Sequence, residues 1–258
     1  MHGQISVVWK SNSVLRALCA ADFASLAPHL QAVDVQRDQR LEQRGRGCEF
    51  VYFIESGIAC TLADDPKHGV EVGMTGREGF TGVPALLDAR SSPYDVRMLT
   101  AGSAHRAPVA ALKEAMRQSA ELDRAVRAYV LRFMVQAMRQ AQVNACVPLE
   151  PRLARWLLLM HDRTDGDELQ LTHERLAALL GVRRAGVSVA AKKMEHAGLI
   201  VLHRGSILVR DRSRLEEASA GAYSSVDRGE QLCERASGVT WTGEVLSRAQ
   251  RATNMEWV

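Results

Sequence analysis

Several functional classes are excluded by what the chain lacks. It has no uncharged apolar run near the roughly 20 residues that span a bilayer, and residues 1–20 lack a basic segment followed by an apolar core and cleavage site. The expectation is a cytoplasmic protein without a membrane partner. Its five cysteines, Cys19, Cys48, Cys60, Cys146 and Cys233, are odd in number and spaced 29, 12, 86 and 87 positions apart. That spacing suggests neither a disulfide framework nor a zinc ribbon, and scattered buried thiols are the simpler reading. There is no Walker loop, no Gly-x-Ser-x-Gly elbow and no His-Glu-x-x-His helix. His68 and His105 stand alone, whereas a β-roll metalloenzyme of the cupin type would need two or three histidines and a carboxylate together. No enzyme activity, metal or cofactor is therefore expected.

What is present is a chain of 258 residues, 47% apolar and 24% charged, long enough for one large domain or two ordinary ones. Its net charge of +3 is unevenly spread. Between Thr172 and Arg210, seven basic residues (Arg175, Arg183, Arg184, Lys192, Lys193, Arg204, Arg210) face two acidic ones (Glu174, Glu195), so this segment carries +5 and the remainder −2. Positive charge is gathered where a polyanion could dock.

The pattern changes along the chain. Leu15, Leu18, Phe23, Leu26 and Leu30 suit one or two short amphipathic helices over residues 12–30. From Val33 to Val109, short apolar pieces such as Phe50–Ile54, Ile58–Leu62 and Val70–Met74 alternate with glycine-rich turns, the signature of an antiparallel roll or barrel. Residues 121–145 then contain neither Pro nor Gly. Here Leu122, Val126, Tyr129, Phe133, Gln136 and Gln140 recur at alternating steps of four and three, with Val130, Met134, Ala137 and Ala141 beside them. Two stripes on one helix predict a dimer, one stripe facing its own domain and the other a second copy. The first six residues are expected at that interface. Pro148 and Pro151 end the helix.

Beyond them, Leu153–Met160 reads as an apolar helix and Glu168–Leu171 as a short strand. Thr172 caps a helix that Gly181 closes. A second helix runs from about Arg183 to Ala197 and stops at Gly198, and Leu199–His203 and Ser206–Arg210 flank Arg204-Gly205 as a hairpin. This is the order of a winged helix-turn-helix. In the second helix Val187, Ala190, Ala191 and Met194 make an inward face, leaving Arg184, Ala185, Ser188, Val189 and Lys192 free to enter a major groove. The expected DNA-binding set is Thr172, Arg183, Arg184, Ala185, Ser188, Val189, Lys192 and Arg204.

With these residues in view, the chain resembles the bacterial regulators related to the cyclic-AMP receptor protein and the fumarate-nitrate reduction regulator, the Crp/Fnr family. The resemblance covers roughly residues 12–222. It rests on Val51-Tyr52-Phe53-Ile54-Glu55-Ser56-Gly57, on Gly76-Arg77-Glu78-Gly79-Phe80 before Leu86-Leu87, and on Leu171-Thr172, Leu176-Ala177, Leu180-Gly181-Val182, Val187 and Gly198-Leu199-Ile200. It implies an α+β fold: a cyclic-nucleotide-binding-like β-roll over residues 1–113, a dimerisation helix over 114–147 and a winged helix over 148–222. It also implies a homodimer on a palindromic double-stranded DNA site, with RNA polymerase as a further partner.

The departures concern the signal. In nucleotide-binding relatives a Glu follows the cassette glycine and an Arg with a small hydroxyl residue comes about ten positions later. Here Val83 follows Gly82, and the later positions hold Arg90, Ser92 and Pro93. Cyclic AMP is therefore not expected to bind, although a regulator responsive to a nucleotide or another small ligand is the alternative. An iron–sulfur centre is not supported by Cys19 alone, and a haem would have to use His68, His105 or Cys60. On the recognition helix the family's Arg, Glu and Arg are replaced by Arg184, Ala185 and Val189, so a different DNA site is expected. Residues 223–258, with Trp241 and Trp257, have no counterpart and are expected to form a poorly ordered tail.

Overall fold

Strand-length apolar segments broken by turns and one long unbroken helix lead to two domains with a helix between them. The structure is a computed structural model that describes residues 11–63, 69–224 and 227. His68, Trp241, Trp257 and Cys233 lie outside the described residues. Asn12 caps α1 (Ser13–Arg16) by accepting from the amides of Val14 and Leu15, and α2 (Ala20–Leu26) follows. Next come β1 (Gln31–Val35), β2 (Arg40–Glu42), β3 (Phe50–Ile54), β4 (Ala59–Ala63), β5 (Val70–Thr75), β6 (Phe80–Thr81), α3 (Val83–Leu86), β7 (Asp95–Met98) and β8 (Gly102–Pro108). The strands form two antiparallel sheets, ordered β1-β8-β3-β6 and β2-β7-β4-β5. Phe53, Val51, Phe80 and Ala107 are buried in one cluster, and Val35, Ile54, Val96 and Met98 in another. The expected roll is present.

After α4 (Val109–Gln118), Ser119 caps α5 (Ala120–Cys146) through the amide of Leu122. Its pitch carries Leu122, Val126 and Tyr129 into the core of the roll, where the Tyr129 and Phe80 rings lie 4.4 Å apart. The approach is close enough to require glycine, since a Cβ at Gly79 would stand 2.0 Å from the Tyr129 ring.

The second domain comprises α6 (Leu149–His161), β9 (Glu168–Leu169), α7 (His173–Leu180), α8 (Arg184–His196), β10 (Ile200–His203), β11 (Ser206–Val209) and α9 (Arg212–Ala218). Every residue from Leu153 to Met160 is buried. A helix apolar on all sides must be covered on all sides. Here Ile58, Cys60, Met74 and Leu99 of the roll join Leu153, Trp156, Leu157, Leu176, Val187 and Ile207 in one continuous cluster. Arg163 pairs with Glu78 at 2.7 Å, Arg77 with Asp165 at 2.5 Å, and Arg37 donates to the Gln170 carbonyl at 2.9 Å. The winged domain is thus docked on the roll. Its last described residues do not behave as a free tail. Tyr223 is buried and donates to Asp162 at 2.8 Å, while Asp227 accepts from the buried Arg155 at 2.7 Å. Tyr223 and Asp227, beyond the expected boundary at residue 222, thus pack with Asp162 and Arg155.

A carboxylic acid lies inside this junction. Glu71 on β5 is 1% exposed and accepts from the Trp156 indole at 3.2 Å. Burial pushes its carboxyl up to about 7 from 4.5, an effect partly offset by Arg155, the Trp156 bond and Arg163. An acid that is weaker in the folded state binds more protons there, so its contribution is full below the unfolded value of 4.5 and is lost as pH rises toward 7. At about 1.4 kcal/mol per pH unit this amounts to roughly 3 kcal/mol at most. Glu71→Gln retains an acceptor for Trp156 and removes the ionisation. Thermal denaturation across this range should show a flatter pH profile for Glu71→Gln than for wild type and a higher melting temperature at pH 8. Parallel profiles would exclude the effect.

Candidate nucleic-acid interface and effector cassette

The chemistry of the second domain is set by three backbone reversals and one cap. Thr172 Oγ1 accepts from the amide of Arg175 at 3.2 Å and starts α7. Gly181, at φ +65°, ends it, Gly198, at φ +73°, ends α8, and Gly205, at φ +90°, turns the wing. A left-handed residue at these points lets the chain turn without a side-chain penalty. Val187, Ala190, Ala191 and Met194 are all buried, as their spacing predicts. Arg183, Arg184, Ala185, Val189 and Lys192 lie on the other side of the helix, and Val189 keeps 58% of its surface in solvent. Ser188 is half-buried and lies 3.1 Å from His173 Nδ1, which ties α8 to α7. Arg184 forms an ion pair with Glu174 at 3.4 Å, with both side chains about 70% exposed. Such a pair is weak and readily exchanged for a phosphate or a base. Lys193 pairs with Glu150. In the wing, β10 and β11 pair from Ile200–Val209 to His203–Ser206, and Arg204 is exposed at the tip beside Gly205. All eight expected DNA-binding residues belong to the α7–α8 unit and its wing, and Thr172 has a local task as the cap.

The six residues expected at a dimer interface make contacts within the chain. Leu122, Val126 and Tyr129 are between 1% and 4% exposed and pack within their own roll. Phe133 stands over Gly73, Gln136 Oε1 accepts from the Met74 amide at 3.2 Å, and buried Gln140 accepts from Arg155. Leu122, Val126, Tyr129 and Gln140 are thus buried within the chain, whereas Phe133 and Gln136 are half-buried. The exposed stripe is Leu131, Met134 and Met138, at 47%, 49% and 65% exposure. The helical spacing of four and three is kept, but rotated around α5.

The residues expected to form a degenerate ligand cassette, Gly82, Val83, Arg90 and Ser92, lie around a closely packed turn. Gly82 adopts φ +93°, and a Cβ there would come within 2.7 Å of Val51. Its amide donates to Glu42 Oε1 at 2.6 Å, and the buried Ser92 hydroxyl lies 3.2 Å from Glu42 Oε2 and 2.8 Å from the Tyr94 carbonyl. Glu42 is 4% exposed. Burial raises its pKa, and the bonds from Gly82 and Ser92 compensate only in part. Val83 is buried beside it and Arg90 is exposed. Glu42, Thr61, Thr75, Phe80, Thr81, Val83, Tyr94, Val96 and Phe133 leave about 10 Å³ between them, room for about one water molecule. Glu42 was not legible in the sequence. The register of β2 against β7 slips between Arg40 and Glu42, so that Leu41 and Glu42 are both buried where simple alternation would expose one. His105 sits 3.1 Å from Glu55 as an ordinary hydrogen-bonded histidine, and the Cys60 thiol is held well above its usual pKa by burial.

Comparison with known proteins agrees with this geometry. Residues 151–218 match the Crp-like helix-turn-helix domain. No curated protein sequence matches the chain. Among solved structures, FixK2 of Bradyrhizobium japonicum superposes with a TM-score of 0.65 at 17% identity, over 74% of this chain and 98% of that one. A Crp/Fnr-family transcriptional regulator of Thermus thermophilus gives 0.63 at 20% identity, over 74% and 100%. The c-di-GMP-responsive global regulator CLP of Xanthomonas campestris gives 0.61 at 16% identity, over 74% and 99%. The chain carries a Crp-like helix-turn-helix DNA-binding domain and has the fold of the Crp/Fnr transcriptional regulators.

Proposed function

We propose that this protein is a sequence-specific transcriptional regulator that binds a palindromic DNA site as a homodimer. Its β-roll does not use a cyclic nucleotide as signal. The observation that carries the DNA reading is the division of α8 into a fully buried inner face and an exposed face of Arg184, Ala185, Val189 and Lys192 beside the exposed wing Arg204. Arg184 near the start of α8 can donate twice to guanine O6 and N7, and Val189 one turn on can touch a thymine methyl. Lys192, a further turn on, and Arg204 are suited to phosphates, which position without reading sequence. Arg184→Ala should cost about 1 to 3 kcal/mol per half-site on the preferred sequence and less on random DNA. Lys192→Ala should weaken both DNAs alike and reduce the salt dependence by about one unit per lost phosphate contact. Titration of selected and random duplexes separates the two roles, and an Arg184→Ala profile equal to wild type would place reading elsewhere.

Dimerisation is supported by the unsatisfied apolar stripe on α5. Two-fold pairing of α5 would cover Leu131, Met134 and Met138 and set two α8 helices to read half-sites about 10 base pairs apart. The double substitution Leu131→Glu with Met138→Glu is exposed and so spares the fold. It should give a folded monomer in sedimentation that loses most specific DNA affinity. A wild type that stays monomeric at every concentration tested would end this reading.

The reading of the roll is supported by Glu42. A nucleotide phosphate approaching the Gly82 amide would meet a carboxylate already bonded to it, in a space of about 10 Å³. Displacing Glu42 would leave a buried acid without its donors, and the anion brings no cation to compensate. Calorimetry with millimolar cyclic AMP or cyclic GMP should give no saturable heat, whereas low-micromolar binding would refute the exclusion.

A further inference from the structure

Cys19 is the residue that caps α2, Asp22 lies in the first turn of that helix, and Glu121 lies in the first turn of α5. The fold brings the Cys19 thiol, a carboxylate oxygen of Asp22 and a carboxylate oxygen of Glu121 within 4.8 Å of one another. Two features of the cluster are not explained by packing. Asp22 is only 9% exposed, and its Oδ2 has no hydrogen-bond partner among the described residues. Neither Asp22 nor Glu121 forms an ion pair among those residues, although the two carboxylates are neighbours. A buried carboxylate oxygen without a partner is costly to desolvate. A cation held between Asp22 and Glu121 would supply that partner.

The thiol narrows the choice of cation. Cys19 Sγ accepts from the Asp22 amide at 3.4 Å, an outer-shell hydrogen bond of the kind that orients a metal-bound thiolate. The side chain is exposed and hence reachable, and Asp22 also borders a cavity of about 220 Å³ with Ser25, Gln118 and Ser119. Magnesium and calcium take oxygen ligands only, whereas one thiolate with two carboxylates suits a borderline divalent ion. We propose that Cys19, Asp22 and Glu121 form a site for such an ion, zinc being the best fit, with three protein ligands and a fourth position left to water. Binding displaces the thiol proton to solvent, so affinity rises with pH. The ion would join the amino-terminal helices to the start of α5, two segments about a hundred residues apart in the chain.

The full-length protein, stripped with chelator, should take up one equivalent of zinc per chain in calorimetry. With cobalt it should develop the near-ultraviolet thiolate-to-metal charge-transfer band. Cys19→Ser should abolish that band, and Asp22→Asn and Glu121→Gln should each weaken zinc by at least about tenfold, the lower end of what loss of even an outer-shell partner costs. Cys48→Ser should change neither readout. Glu121 is exposed, so its variant tests the site even if Asp22→Asn perturbs the fold. Absence of saturable zinc uptake, or a cobalt band that survives Cys19→Ser, would overturn the proposal.

Discussion

The burial of α6 on every side is the constraint on which the rest of the arrangement depends. A helix whose residues from Leu153 to Met160 are all buried cannot stand between two domains in water. It forces the helix-turn-helix onto the roll, and the two share one hydrophobic cluster from Ile58 and Met74 to Val187 and Ile207. The cost falls on its polar residues. Arg155 is 1% exposed and is held by Gln140 and Asp227, while Trp156 finds its acceptor in Glu71. Removing one partner of such a pair leaves a charge stranded in the interior, which costs more than the pair contributes. The polar contacts therefore fix how the domains sit, and the apolar area supplies the stability.

The docked arrangement still leaves the DNA face open. The contacts to the roll come from α6, from α7 through Arg175 and Asp38, and from the stretch around Gln170, whereas the outer face of α8 stays in solvent. The face of Arg184, Val189 and Lys192 is thus free while the domain is docked.

Much of this was legible in the chain because two strong local signals agree with the tertiary result. Glycine punctuation between short apolar strands predicted the roll, and Thr172, Gly181, Gly198 and Arg204-Gly205 placed the helix-turn-helix and wing within a residue or two of the observed elements. Periodicity failed where a helix has two apolar stripes and only tertiary contact decides which one is used. The stripe of Leu122, Val126 and Tyr129 faces the roll, and the neighbouring Leu131, Met134 and Met138 stay outside. Glu42 escaped for a different reason. A register slip in β2 buries two successive residues, and period-two reasoning has no means of seeing a bulge.

The Gly82 turn poses a problem of buried donors, because a buried amide or hydroxyl without a partner destabilises a fold by roughly 1 to 3 kcal/mol. Gly82 cannot readily be replaced, because its φ of +93° and the nearness of Val51 leave no room for a side chain, and the amide remains whatever residue follows it. Glu42 supplies the acceptor from a bulge in the neighbouring sheet, and Phe133 and Tyr94 are among the side chains that line the remaining space. Because Phe133 belongs to α5, closing the cassette also fixes how that helix lies on the roll, and through α5 the position of α6 and the winged domain. The Glu42–Gly82 contact and the packing of Phe133 thus tie the two sheets of the roll to α5.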